Sequence, residues 1–245
     1  MVNEQYSDCW YEKVCSGSDV SEQAEHCTKQ ASCVKYMEMK YLIEESNIPK
    51  AKQRPIILTA EDVDYNSFVR LSEIKDDIEN YVINGTNFYI VSKNTGNGKT
   101  SWAIKLMLRY FDRIWSGNGF NVRGYFVHVP TLLLRLKDFS NKDPELSEIK
   151  QTLINADLVI WDDIGSLGMS NYDLSQLLMY LDQRIITEKS NIFTGNLVGD
   201  DLENTLGTRL FSRIWNTSEH IILYGKDRRS INGPNSDNFK NLTDK

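Results

Sequence analysis

The stretch SKNTGNGKTS, residues 92–101, decides the fold. It is preceded by FYIVS, residues 88–92, a short β-rich run. It is followed by residues 100–115, which place Trp102, Ile104, Leu106, Met107 and Phe111 for the buried face of a helix. A phosphate chain needs a loop whose backbone N–H groups point inward, glycines that permit that conformation, a lysine that reaches the outer phosphates, and a hydroxyl for Mg²⁺. Gly96, Gly98, Lys99 and Thr100 supply these, and Lys93, Asn94, Thr95, Asn97 and Ser101 complete the loop. The pattern G-x-x-x-x-G-K-[ST] departs only at its first position, where Lys93 stands in place of glycine. The bland alternative is a Gly/Asn-rich turn that happens to precede Lys-Thr. The strand-to-helix context speaks against it, as does a second motif downstream.

That second motif is LVIWDD, residues 158–163. A buried strand ending in acids puts Asp162 where it binds Mg²⁺ through water, and puts Asp163 beside an attacking water. Working outward, Phe68, Leu71, Ile74 and Ile78 are spaced for a helix, and GYFVHV at 124–129 reads as a strand. Residues 132–136 open a helix after Pro130, and residues 174–186 are helical in spacing. NIFTGN at 191–196 reads as a strand end, and HIILY at 220–224 closes the series. Alternating strands and helices predict an α/β fold with a mostly parallel sheet covered on both faces.

The set GNGKT, LVIWDDIG, IFTGN and LGTRLFSRIW resembles the AAA+ ATPases over residues 65–230. Within them it resembles most the DnaC/DnaI-type helicase loaders, especially those of phages and prophages. The resemblance implies ATP and Mg²⁺ as cofactors, with Thr100 and Asp162 holding the metal and Asp163 polarising the water. It gives Asn196 the water-orienting role, for which an amide has both donor and acceptor. It makes Arg213, or else Arg209 one helical turn away, the residue that reaches a neighbouring subunit's γ-phosphate, and it makes Arg228 and Arg229 candidates for nucleotide sensing. Two departures are visible. Asp163 replaces the usual glutamate, which predicts slow hydrolysis. Only 21 residues follow Tyr224, too few for a separate helical lid.

All four cysteines lie in the first 33 residues: Cys9, Cys15, Cys27 and Cys33, a C-x5-C…C-x5-C arrangement. No signal peptide or membrane span is visible, so a cytoplasmic location is expected. Reduced thiols there point to a structural Cys₄ zinc site, with His26 as a possible substitute ligand; the alternative is four plain thiols. DnaI-like loaders carry such a module, which by resemblance docks the helicase. The expected organisation is a zinc-binding module at 1–48, an extended linker at 49–64, the ATPase core at 65–230 and a flexible tail at 231–245. Of the net charge of −6, residues 1–47 carry −5, from nine acids and four lysines, so the core is nearly neutral.

By region, the resemblance also implies single-stranded DNA contact near Arg135, Lys137 and Phe139; a solvated helix face is the plain alternative. The expected function is ATP-dependent loading of a hexameric replicative helicase onto single-stranded DNA by an ATP-bound homo-oligomer. The alternatives are an IstB-type transposition-associated ATPase and a nucleotide-binding adaptor that does not hydrolyse.

Overall fold

The computed structural model describes residues 33–53, 56–116, 121–137, 144–166 and 168–227. Cys9, Cys15, Cys27, Phe139, Arg228, Arg229 and the tail 231–245 lie outside the described residues.

Five apolar runs form strands: β1 Asn87–Val91, β2 Gly124–His128, β3 Leu158–Ile164, β4 Ser190–Gly195 and β5 Ser218–Ile222. They pair in parallel in the order β2-β3-β4-β1-β5. Parallel strands need long crossovers, and helices supply them. The described helices are α1 Val34–Glu45, α2 Tyr65–Asp76, α3 Ile78–Ile83, α4 Lys99–Ile114, α5 Val129–Lys137, α6 Pro144–Asn155, α7 Asn171–Ile186 and α8 Gly199–Ile214. Successive strand residues point to opposite faces, so each strand feeds two cores. Phe88 and Ile90 join Trp102, Leu106, Leu71 and Leu42 in a core built with α1 to α4. Tyr89 and Val91 join Leu132, Leu153, Leu177 and Leu210 in a core built with α5 to α8. This layering is that of the AAA+ P-loop core expected from sequence.

The helix spaced over residues 68–78 is two helices, because Asp77 leaves the helical region at φ −113° and ψ 20° and Ile78 opens α3. Helix α6 was not among the expected elements, although Pro144 at its first turn and the Leu146, Ile149, Leu153 spacing are its signal. Helix α8 breaks at Gly207, whose φ of 73° and ψ of 154° are open to glycine and costly to other residues.

The described residues before the core pack against it. Met39, Leu42 and Ile43 of α1 are buried against the α4 side of the sheet, and Lys35 pairs with Asp112 at 2.9 Å. Just before the expected linker at 49–64, and again at its end, described residues are hydrogen-bonded to the core. Phe126 N donates to Ser46 O at 2.7 Å and Asn47 Nδ2 donates to Phe126 O at 2.9 Å, satisfying backbone on the edge strand β2. At the other end the buried Asp64 carboxylate accepts from Tyr224 N at 2.5 Å and Gly225 N at 2.9 Å.

Candidate nucleotide-binding site

The loop between β1 and α4 is held from below by short polar side chains. Asn94 N donates to Ser92 Oγ at 3.1 Å, and Asn97 Nδ2 donates to the same oxygen. Asn94 Nδ2 reaches Tyr224 O at 3.0 Å and Gly225 O at 3.1 Å, which joins the loop to the segment that Asp64 clamps. Gly96 (φ 69°) and Gly98 (φ 107°) take the left-handed conformations. A Cβ on Gly96 would also fall 1.7 Å from Asp227 Oδ1, a carboxylate whose other oxygen accepts from Thr95 Oγ1 at 3.1 Å. Lys93 keeps a negative φ, since Asn47, Asp163 and Glu188 are the non-glycine residues with positive φ among those described. The missing first glycine therefore costs this loop no strain.

The loop opens into a cavity of about 520 Å³ lined by Thr95 to Ser101 and by Lys52, His128, Asp162, Asp163, Thr194 and Asn196. Lys99 is 9% exposed and its Nζ donates to Asn94 O at 2.9 Å. Thr100 Oγ1 donates to Asp162 Oδ1 at 2.7 Å, and Thr194 Oγ1 donates to the same oxygen at 2.7 Å. A hydroxyl and a carboxylate converging beside a lysine form the donor set expected for Mg²⁺ on a nucleotide. Asn196 follows β4 directly, and its Oδ1 is buried without a partner among the described residues. Asn196 as a residue lines the cavity beside Asp162 and Asp163.

Adjacent residues of a regular strand face opposite sides, yet Asp162 and Asp163 both line the cavity. A bulge reconciles this. Between Trp161 and Ile164, β3 advances three residues while β4 advances two, from Phe193 to Gly195. The extra residue is Asp163, with φ 64°, and its N–H donates to Thr194 Oγ1 at 3.0 Å. Left-handed backbone suits aspartate better than glutamate, which gives the Asp-for-Glu departure a structural reason. Asp163 Oδ2 stands 3.9 Å from His128 Nε2, whose other ring nitrogen lies 2.8 Å from Thr131 Oγ1. Sequence reasoning missed His128, Thr194 and Lys52: His128 and Lys52 belong to no motif, and within IFTGN the motif pointed to Asn196 and gave Thr194 no role.

The exit of β4 is braced by Tyr89, whose hydroxyl donates to Leu197 O at 2.8 Å. Burial first, and the Asp163 charge second, push this phenol well above its ordinary value, so it stays a neutral donor. A Cβ on Gly195 would lie 2.5 Å from the Tyr89 hydroxyl, so glycine there lets the phenol reach past to hold the turn carrying Asn196.

Residues 38–222 match the family described as IstB-like ATP binding protein. The chain belongs to this family. No curated protein matches it significantly. Among solved structures, the fold of this IstB-like chain is similar to a DnaC helicase loader, with TM-score 0.57 and 20% identity over 68% of this chain and 93% of the other. It is similar to a putative primosome component from Streptococcus pyogenes serotype M3, with TM-score 0.58 and 22% identity over 77% and 98%. It is similar also to DnaI, with TM-score 0.58 and 19% identity over 72% and 94%.

Other expected site residues of this IstB-like protein stand away from the cavity. Arg209 and Arg213 lie beyond the Gly207 break of α8, and neither lines the cavity. Arg213 Nε pairs with Asp182 Oδ1 at 2.5 Å, and both Arg213 and Arg209 are exposed. Arg135 pairs with Glu145 at 3.1 Å, and Lys137 pairs at 2.7 Å with Asp173, a buried residue of the α7 capping box. Both cations expected near DNA are therefore engaged within the chain. Of the four cysteines, Cys33 is described, as the N-cap of α1, and among the described residues no cluster of His, Cys, Asp and Glu could hold a metal.

Proposed function

We propose that this IstB-like protein is an ATPase that loads a hexameric replicative DNA helicase onto single-stranded DNA. The observation that carries the ATPase part is the convergence of Thr100, Asp162, Lys99 and Asn196 on one cavity at the loop. The loader part is supported by the likeness to a DnaC helicase loader, matched over 93% of its length, and to a primosome component.

In this mechanism the loop N–H groups and Lys99 bind the phosphates of ATP. Thr100 and Asp162 hold Mg²⁺, which when bound neutralises charge on the outer phosphates. Asp163 and Asn196 orient the attacking water, and Arg213 or Arg209 of a neighbouring copy completes the site. Assembly then controls turnover, which suits a slow switch. ATP binding orders the homo-oligomer on helicase and DNA, and hydrolysis releases it. The protein acts in the cytoplasm, with the cysteines Cys9, Cys15, Cys27 and Cys33 holding a structural zinc that shapes the helicase-docking module. No described helix is long and apolar enough to cross a membrane.

The test is co-purification with candidate replicative helicases in ATP and in ADP, read by mass, together with ATPase assays with and without helicase and single-stranded DNA. Retention of helicase in one nucleotide state and stimulated turnover are expected. A second reading, an IstB-type ATPase working with a transposase, is favoured by the family match over residues 38–222. Capture of a transposase instead of a helicase would select it. Absence of turnover under every condition, with Lys99→Ala harmless to loading, would leave a non-hydrolysing adaptor.

A further inference from the structure

The connection between α1 and the core delivers a lysine to the nucleotide cavity. Lys52 closes the short 3-10 turn Lys50–Lys52, is half-buried, and lines the cavity with Lys99, Thr100, His128, Asp162 and Asp163. The turn is held in place from both sides. Gln53 Nε2 donates to Ile48 O at 2.9 Å, and the preceding residues Ser46 and Asn47 are bonded to Phe126 of the edge strand β2. Two residues beyond Phe126, His128 stands 3.9 Å from Asp163. Pro49 and Lys50 share a second groove with His128. The turn therefore reaches the cavity of Lys99 and Thr100 from the side of the edge strand β2, which carries His128 beside Asp163.

Charge argues the same way. Among the residues lining the cavity, Lys52 and Lys99 are balanced by Asp162 and Asp163, and a triphosphate brings several more negative charges. An ammonium lining this partly enclosed space, where screening is weak, gains a charge-assisted contact when a phosphate comes within its reach. A diphosphate lacks the outermost phosphate of a triphosphate.

We propose that Lys52 is a further nucleotide-binding residue. Its ammonium contacts the outermost phosphate of a nucleoside triphosphate bound by the same chain. Because residue 52 lies on the path from α1 to the core, this contact makes the order of the connection depend on the third phosphate, and so carries nucleotide state toward the N-terminal region. The inference rests on the nucleotide-binding reading given above.

The full-length chain is titrated with AMPPNP and with ADP, each with Mg²⁺, in wild type, Lys52→Gln, Lys52→Arg, Lys50→Ala and Lys99→Ala. Lys52→Gln is expected to weaken AMPPNP about tenfold and ADP by less than about twofold, as for loss of one charge-assisted contact to the third phosphate. Lys52→Arg restores AMPPNP binding, and Lys50→Ala, two residues away and exposed, changes neither ligand. Amide hydrogen exchange over residues 46–53 slows with AMPPNP but not ADP in wild type, and loses that difference in Lys52→Gln. Equal weakening of both ligands, no weakening, or no difference in exchange in wild type overturns the inference while leaving nucleotide binding intact. Failure of wild type to bind either ligand, or undiminished binding by Lys99→Ala, overturns the nucleotide reading itself. Melting temperatures of all variants within the wild-type range keep the comparison free of folding effects.

Discussion

Thr100 Oγ1 and Asp162 Oδ1 meet at 2.7 Å across 62 positions of sequence, at the point where α4 begins and β3 ends. Thr194 bonds the same carboxylate oxygen from β4, so two hydroxyls from different elements fix one acid. Replacing Thr100 by Val keeps the shape and removes the donor. The expected result is loss of the Mg²⁺-dependent part of AMPPNP affinity and a fall in hydrolysis of about 100-fold or more. Titrations with and without Mg²⁺ read this directly, and a Thr100→Val chain that still responds to Mg²⁺ as wild type does would contradict the assignment.

Asp163 holds a left-handed backbone, which costs an aspartate about 1 kcal/mol or more relative to glycine. Asp163→Gly is therefore expected to raise stability by about 0.5–1 kcal/mol while abolishing turnover and sparing nucleotide affinity. Urea melts beside an ATPase assay test both halves. A destabilised Asp163→Gly would show that the carboxylate supports the fold and is not strained into place.

Arg213 is tied to Asp182 in its own chain, and both it and Arg209, one turn away, are exposed. If one of them serves a neighbouring site, inactive chains should complement each other. Mixing Lys99→Ala with Arg213→Ala, or with Arg209→Ala, places one intact loop beside one intact arginine and is expected to recover part of the activity for the true donor. The pairing that recovers nothing identifies the bystander, and recovery by neither removes both from the trans role.

Arg184 is wholly buried on α7 and donates to Asn191 Oδ1, Leu153 O, Ala156 O and Ser190 O. Burial pushes the guanidinium down to about 9, with Asp157 opposing, so it remains charged at neutral pH. Arg184→Met fills much of the volume but orphans these acceptors, at an expected cost of about 3 kcal/mol or more. A lower urea midpoint at unchanged slope is the signature. A loss below about 1 kcal/mol would mean that the carbonyls find other donors.

Acid should act through Asp157. Its burial raises the carboxyl, but hydrogen bonds from Lys189 and Arg123 outweigh that and hold it below the ordinary 3.8. A depressed native pKa stabilises the fold fully above the ordinary value, and the contribution drains away as pH falls from there through the native value. The acid limb of a stability profile should be shallower in Asp157→Asn than in wild type. Parallel limbs would assign acid sensitivity to other carboxylates.

Much of this was legible in the chain itself. The loop at 92–101, the acids ending β3 and the βα order depend on backbone geometry within a few residues, which residue types report directly. Helix α6 was equally legible from Pro144, Leu146, Ile149 and Leu153. The break at Asp77, where one helical spacing becomes α2 and α3, had no marker of composition.

What the sequence by itself determined was the chemistry available: a phosphate loop, a metal-binding hydroxyl and carboxylate, and a polar residue at the end of β4. Only the tertiary structure decided which distant groups share that cavity. Strand order puts β4 beside β3, so Thr194 spans both acids, and the one-residue bulge turns Asp163 onto the side of Asp162. The edge position of β2 brings His128 to Asp163 and anchors the turn bearing Lys52, 47 residues before Lys99. Such meetings depend on register and on which sheet edge is left unpaired. Packing of the whole body sets both, and no local pattern of residues encodes them.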